Sequence, residues 1–260
     1  MWGLLLLALG PMWLELARHV RMHAWAAYVL VVPLLLIWGA AGSPRERTRP
    51  LLGAGLLVTA LLAELAALLA GPLRAGRIAL PLGVLGMSAL AGRPPRRFWP
   101  LAPFLIPVPF AVLWLASPGL EGLWLRGGAR LAQALGQAVS LSGARAVSPA
   151  GELGLSPGDD GLPLAALFTV LGCFAGAYRG RAPLAALLRG LLVAPLALPV
   201  QALAVAIGVP IATGGYAVAA RAWLDHGLPL VCAAASLAVV ARGAAGRKTR
   251  SPGVTLGAVG

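Results

Sequence analysis

The chain alternates long apolar runs with short polar breaks. Eight runs can be placed, at about 2–17, 25–41, 51–73, 78–92, 98–116, 162–178, 183–209 and 228–241. A membrane span needs about 20 apolar residues, and tilt or local thinning accommodates shorter ones. The pattern predicts an all-α integral membrane protein with about eight transmembrane helices. The runs at 2–17 and 78–92 are short for a span. Pro and Gly inside several runs do not oppose spanning, because neighbouring helices re-satisfy the freed backbone groups.

The breaks set an orientation. "SPRERTRP" (43–50), "GRPPRR" (92–97), "RGR" (179–181) and the tail after 241 are rich in basic residues. Together they hold twelve, against eight in the intervening breaks. Basic loops favour the cytoplasm, so both termini are expected inside and the long break 117–161 outside. The polytopic membrane domain then covers 1–241, and 242–260 is a basic, disordered cytoplasmic tail.

Within 117–161 the spacing changes. Leu120, Leu123, Trp124, Leu131, Leu135 and Val139 recur near helical spacing, with Arg126, Arg130, Gln133 and Gln137 between them. This predicts an amphipathic helix over 120–143, lying on the outer leaflet or against the bundle. The turn-rich stretch "SGARAVSPAGELGLSPGDDG" follows, with short extended segments.

Composition narrows the class. Of 260 residues, 59% are hydrophobic and 11% charged, whereas soluble domains carry about 25% charged residues. The formal net charge of +13 follows the membrane pattern; no basic face with interleaved aromatics points to nucleic acid. No internal repeat is visible, nor an inverted pair of broken helices of the transporter kind. The N-terminus lacks a basic leader region and a small-residue cleavage site, and is expected to be a retained first helix.

Few residues invite chemistry. Glu64 and Arg189 fall inside apolar runs, where ionisable groups are costly and often functional. Arg189 is near one end of its run and is expected to snorkel to the headgroups; Glu64 is near mid-span and needs a partner. Cys173 and Cys232 lie inside runs and are expected to be inert packing residues rather than nucleophiles. His19, His23 and His226 lack metal-ligand spacing, so no metal site is expected. No phosphate-binding, dinucleotide or nucleophile-elbow motif occurs, and no cofactor is expected. One placement stands out: "GDDGL" (158–162) puts Asp159 and Asp160, two of only eight acidic residues, before an apolar run. Asp160 there can cap the coming helix, where negative charge is favoured.

The order of these features resembles the exosortase/archaeosortase family of polytopic membrane cysteine transpeptidases. "RMHAWAAYVLVVPLLLIWGAAGSPRER" (21–47) is similar to the family's early span and arginine-rich loop, with His23 at its histidine position. "FWPLAPFLIPVPFAVLWLASPGLEGLWLRGGARLAQALGQAVSLSGARAV" (98–147) resembles its Pro-rich span and outer helix. "LGLSPGDDGLPLAALFTVLG" (153–172), "LALPVQALAVAIGVPI" (196–211) and "AWLDHGLPLV" (222–231) resemble the stretches that carry its catalytic groups. The likeness lies in layout more than in motif. Asp159 falls where the family has its cysteine, and Gly161 matches the glycine that follows. Gln201 replaces an asparagine and Ala204 the catalytic arginine. Trp223 stands at the histidine position, three residues before His226.

The resemblance implies a role in protein sorting or exopolysaccharide-linked surface processing at the cell inner membrane, with the cysteine transpeptidase site altered or lost. The implied partners are the bilayer and C-terminal sorting segments of secreted proteins, or an export or glycan machinery. Asp159, Asp160 and His226 are the candidate site residues, expected to meet across an outer cleft. Two alternatives stay open: an active peptidase or transpeptidase with a rearranged site, and a transporter-type protein using Glu64 and Arg189.

Overall fold

The computed structural model describes residues 9–22, 24–70, 77–107, 110–155, 159, 161–228, 230–232, 234–235 and 238. The expected tail 242–260, His23 and Asp160 lie outside these residues. The structure is 78% helical with one small sheet. Two helical stretches among the described residues, Pro50–Leu69 and Pro183–Cys232, are long and apolar enough to cross a membrane by length and composition. Tyr28–Ala41, Ala79–Ala91 and Leu162–Tyr178 are shorter apolar helices.

Helix α1 (Gly10–Met22) leads through a 3₁₀ segment (Ala24–Leu30) into α2 (Val31–Ala41). The described part of the first run is amphipathic rather than uniformly apolar. It buries Met12, Leu16 and His19 along one stripe and exposes Leu14. Glu15 on this helix pairs with Arg77 at 2.8 Å.

Helices α3 (Pro50–Ala70) and α4 (Ala79–Ala91) form an antiparallel pair. Gly53 and Gly86 permit their approach: a Cβ on Gly53 would stand 2.9 Å from the Gly86 carbonyl oxygen. Small residues at membrane-type helix contacts allow such close backbones. Helix α3 buries Gly53, Ala60, Glu64 and Ala67 in one seam, while Leu51, Leu62, Leu65 and Leu69 remain exposed.

The run at 98–116 does not form one helix. Residues Arg96–Leu105 adopt a 3₁₀ helix with Pro100 and Pro103 inside it, and α5 begins only at Phe110. Each proline lacks an N–H and crowds the preceding turn, so α-helical bonding cannot continue. Of the expected amphipathic helix 120–143, residues 120–134 form the second half of α5 (Phe110–Ala134), and residues 135–143 lie outside it. It stops at a glycine cap. Gly136 has φ +82°, its N–H donates to Gln133 O at 2.9 Å, and the Gln137 N–H donates to Ala132 O at 3.0 Å. That pair of bonds is a Schellman ending.

Three strands follow: β1 (Ser140–Ser142), β2 (Arg145–Ser148) and β3 (Gly151–Gly154), antiparallel in the order β1-β2-β3. Ala146 pairs with Leu153, and both are buried. Their outward neighbours Arg145 and Glu152 are exposed and pair at 3.4 Å, as period-2 alternation requires. The second hairpin turns through Pro149 and Ala150, where Ser148 Oγ accepts from the Ala150 and Gly151 N–H groups, both at 3.2 Å.

Helices α6 (Leu162–Tyr178) and α7 (Pro183–Val193) pack through Gly172, Gly176, Ala186 and Gly190. Gly180 closes α6 with a second Schellman ending, its N–H donating to Ala177 O at 2.9 Å and that of Arg181 to Gly176 O at 3.2 Å. A 3₁₀ turn (Ala194–Leu196) joins α7 to α8 (Ala197–Ile211). A π segment (Ala212–Tyr216), α9 (Ala217–Ala222) and a π turn (Trp223–Gly227) complete this stretch. Gly128 on α5 is packed against α8; a Cβ there would stand 2.6 Å from Val209 Cγ2.

Helix α6 organises two ends of the molecule. At its C-terminal end, Phe174 lies 5.5 Å from Trp38, 5.7 Å from Phe98 and 5.7 Å from Tyr178 between ring centroids, beside the breaks 43–49, 92–97 and 179–181. At its N-terminal end lie the sheet and residues 212–227. Seventeen helical residues separate the two ends by about 25 Å.

Candidate functional site

The sheet end is built where α8 breaks. Gly215 has φ +102° inside the 212–216 segment, a backbone state that suits glycine. A break in a helix frees carbonyls that need donors. Gln137 Nε2 donates to Pro210 O at 3.0 Å, and Ser148 Oγ donates to Thr213 O at 2.7 Å. The Thr213 hydroxyl donates to Gln137 Oε1 at 2.6 Å. Gly151 sits directly against the Ala212 carbonyl, where a Cβ would collide. The sheet is thus clamped onto the break, which aims α9 back across β3.

That direction brings Arg221 to the "GDDGL" turn. Arg221 Nη1 donates to Asp159 Oδ2 at 2.7 Å and to Gly154 O at 3.2 Å. Its other edge holds Asp225 in a two-point grip, Nε to Oδ2 at 2.9 Å and Nη2 to Oδ1 at 2.6 Å. The planar fork of a guanidinium fits a carboxylate in this way. Asp159 is buried, its side chain 7% exposed; Arg221 is 35% exposed and Asp225 24%. Burial alone would lower the Arg221 pKa, and the charges and hydrogen bonds of Asp159 and Asp225 more than offset it, leaving it above its ordinary value.

The next residues complete the floor. Gly161, with φ +90°, precedes Leu162 at the start of α6, so the N-cap position is Gly161 rather than the expected Asp160. A Cβ on Gly161 would stand 3.3 Å from both Gln201 Cβ and the Trp124 ring. Glycine is needed twice here, for the backbone angle and for the approach of α5 and α8. Gln201 is 5% exposed and Ala204 is 3% exposed on α8.

The candidate residues separate as follows. Asp159 lies in the site. Asp160 falls outside the described residues. His226 is exposed on the turn that carries Asp225, and among the described residues it joins no ion pair. The group that meets Asp159 from this segment is Arg221. Sequence reasoning missed Arg221, although "RAWLD" carries the signal: a basic and an acidic residue four apart share a helix face. Trp223 packs its ring on Gly227.

Comparison with family models, with curated proteins and with solved structures returns no match.

The remaining candidates sit apart from this site. Cys173 is fully buried in the α6–α7 contact. Cys232 is partly exposed, and both thiols are free. Glu64 is buried in the α3 seam, with one carboxylate oxygen unpartnered and the other group's contact directed at the Met12 backbone. Arg189 is half-buried on α7, its Cδ near Gly176, about two turns from the break 179–181. No cluster of three or more His, Cys, Asp or Glu suited to a metal occurs among the described residues.

Chemically the arrangement is a charge-fixed polar site. A carboxylate whose oxygen accepts from a guanidinium at 2.7 Å has that lone pair engaged, which makes it a poorer nucleophile. Two acids share one cation, which leaves the trio formally one negative charge in excess.

Proposed function

We propose that this chain is a multi-pass inner-membrane protein of exosortase-like layout whose outer-face site binds polypeptide without cleaving it. The observation that carries this reading is the Asp159–Arg221 pair. The resemblance puts a thiol nucleophile at position 159, and a buried carboxylate held by arginine stands there instead. A thiolate forms a thioacyl intermediate with a peptide carbonyl; a carboxylate neutralised by a guanidinium is poorly suited to that attack. Cys173 offers no replacement at this site, since it is enclosed between α6 and α7. On this reading the outer cleft holds C-terminal sorting segments of secreted proteins, as a subunit beside an active enzyme or an export or glycan machinery. The eight-run pattern, with both termini cytoplasmic, is part of the same proposal.

The test uses full-length protein in lipid vesicles and a reporter ending in a C-terminal sorting segment. Association without cleavage is the expected result. Cleavage, or a hydroxylamine-sensitive adduct that requires Asp159, would show an active enzyme. No association with any such segment would remove the sorting role.

A further inference from the structure

Three arginine-bearing breaks, distant in sequence, lie together at one end of the bundle, and two of them are bonded to each other. The Glu46 N–H donates to Gly92 O at 3.0 Å and the Arg49 N–H to Ala89 O at 2.8 Å. Arg45 Nε donates to Ala91 O at 2.9 Å, and Arg97 Nη2 to Ser43 Oγ at 2.8 Å. The third break joins through Gly180, where a Cβ would stand 3.8 Å from Arg97 Nη1. Main-chain bonds fix the first two loops to each other, so the backbone that carries their charges is held in place.

The charge on this surface is one-sided. Breaks 43–49 and 92–97 carry three arginines each and 179–181 carries two, against one acid, Glu46. Glu46 is engaged by the main chain, its Oε2 accepting from the Arg96 N–H at 3.0 Å. Arg47, Arg93 and Arg181 are exposed, and none enters the ion pairs among the described residues. Like charges gathered on one surface repel, and the arrangement favours a polyanionic partner.

What lies beside the arginines selects the partner. Leu51 follows Arg49 and Pro50 and is 90% exposed; Leu184 follows Arg181 closely and is 68% exposed. Guanidinium groups therefore border bare aliphatic helix. The Arg96 guanidinium stacks 5.2 Å from the Trp99 ring centroid, the aromatic placement common at a membrane–water boundary. A ligand with a phosphate next to acyl chains meets all three features at once. A free phosphate would use only the arginines.

We propose that this surface binds the headgroups of anionic phospholipids, with the phosphates on the exposed arginines and the acyl chains along α3 and α7. The inference rests on the membrane reading above. It adds that the leaflet at this end is recognised by headgroup charge, beyond general hydrophobic insertion.

The test uses the full chain purified in a neutral detergent. Phosphatidylglycerol, phosphatidylcholine of the same acyl chains, and inorganic phosphate are titrated separately, with retained lipid counted by native mass spectrometry and unfolding followed by heat. Phosphatidylglycerol should be retained and should stabilise the protein, with the other two ineffective. The triple variant R47Q/R93Q/R181Q should weaken that retention about fivefold per arginine removed, while R126Q/R130Q on α5 should not. Equal retention of phosphatidylcholine, or an unchanged triple variant, would overturn the proposal. Stabilisation by phosphate alone would assign the surface to a soluble anion and overturn the lipid. Failure of the membrane reading shows separately, as release of the chain from membranes by carbonate without detergent.

Discussion

Arg221 reaches Asp159 across 62 residues of sequence, at 2.7 Å, and so ties α9 to the turn that starts α6. Its grip on Asp225 is local, four residues along the same segment. The two acids therefore have different consequences when removed.

Asp159→Ala leaves the half-buried guanidinium short of one partner and unties α9 from α6. A loss of about 2–3 kcal/mol is expected, below the full value for a wholly buried pair because Arg221 keeps water on one side. Asp225→Ala should cost less, because that pair lies within one segment and its loss leaves α9 tied to α6 through Asp159. Thermal unfolding of both variants in one detergent checks this. Equal losses would mean that the long-range pair has no special weight.

The α6–α7 contact predicts a contrast between two glycines. A Cβ on Gly190 would collide with the Thr169 carbonyl, whereas one on Gly55 meets nothing within 4 Å. Gly190→Ala should destabilise by about 1–3 kcal/mol through overpacking. Gly55→Ala, at an exposed helix position, should stabilise by up to about 1 kcal/mol. A melting series of the two variants decides it, and opposite signs are the expected outcome.

Gly136 isolates a backbone effect from packing. It holds φ +82° with open space around its Cα. Gly136→Ala should therefore cost about 1–2 kcal/mol from the left-handed conformation alone. Gly136→Asn should recover part of that, since asparagine tolerates this region better. If Asn and Ala behave alike, the Schellman ending is not what stabilises this cap.

Topology is open to a direct measurement. With Cys173 and Cys232 changed to Ala, a single cysteine at Ser142 on the exposed strand β1 should react with a membrane-impermeant reagent in intact cells. Reaction only after lysis would invert the proposed orientation. The same cysteine-free background should keep its sorting-segment association, because Cys173 is enclosed by packing.

The periodicity and composition were enough to mark this chain as helical, apolar and punctuated by arginine breaks. Local rules also carried the ends of its elements. Gly136 and Gly180 stop their helices through bonds among a few neighbouring residues, although the helix expected over 120–143 ends at Ala134, and the turn-rich stretch 142–161 does contain short strands. The proline run was the misleading part. Hydropathy counts Pro100 and Pro103 among apolar company, while their missing N–H groups make a 3₁₀ segment and postpone α5 to Phe110.

The site needed the fold. Asp159 was visible as an unusual acid, but its partner depends on the break at Gly215, which turns α9 back over β3. No pattern along the chain encodes that angle. It follows from how Gln137 and Ser148 satisfy the freed carbonyls and from how Gly151 admits the Ala212 backbone. Sequence by itself determined which segments are apolar and where charge collects, because those follow from local composition. Only the tertiary structure decided that Arg221 meets Asp159, because that contact is set by the packing of segments 62 residues apart.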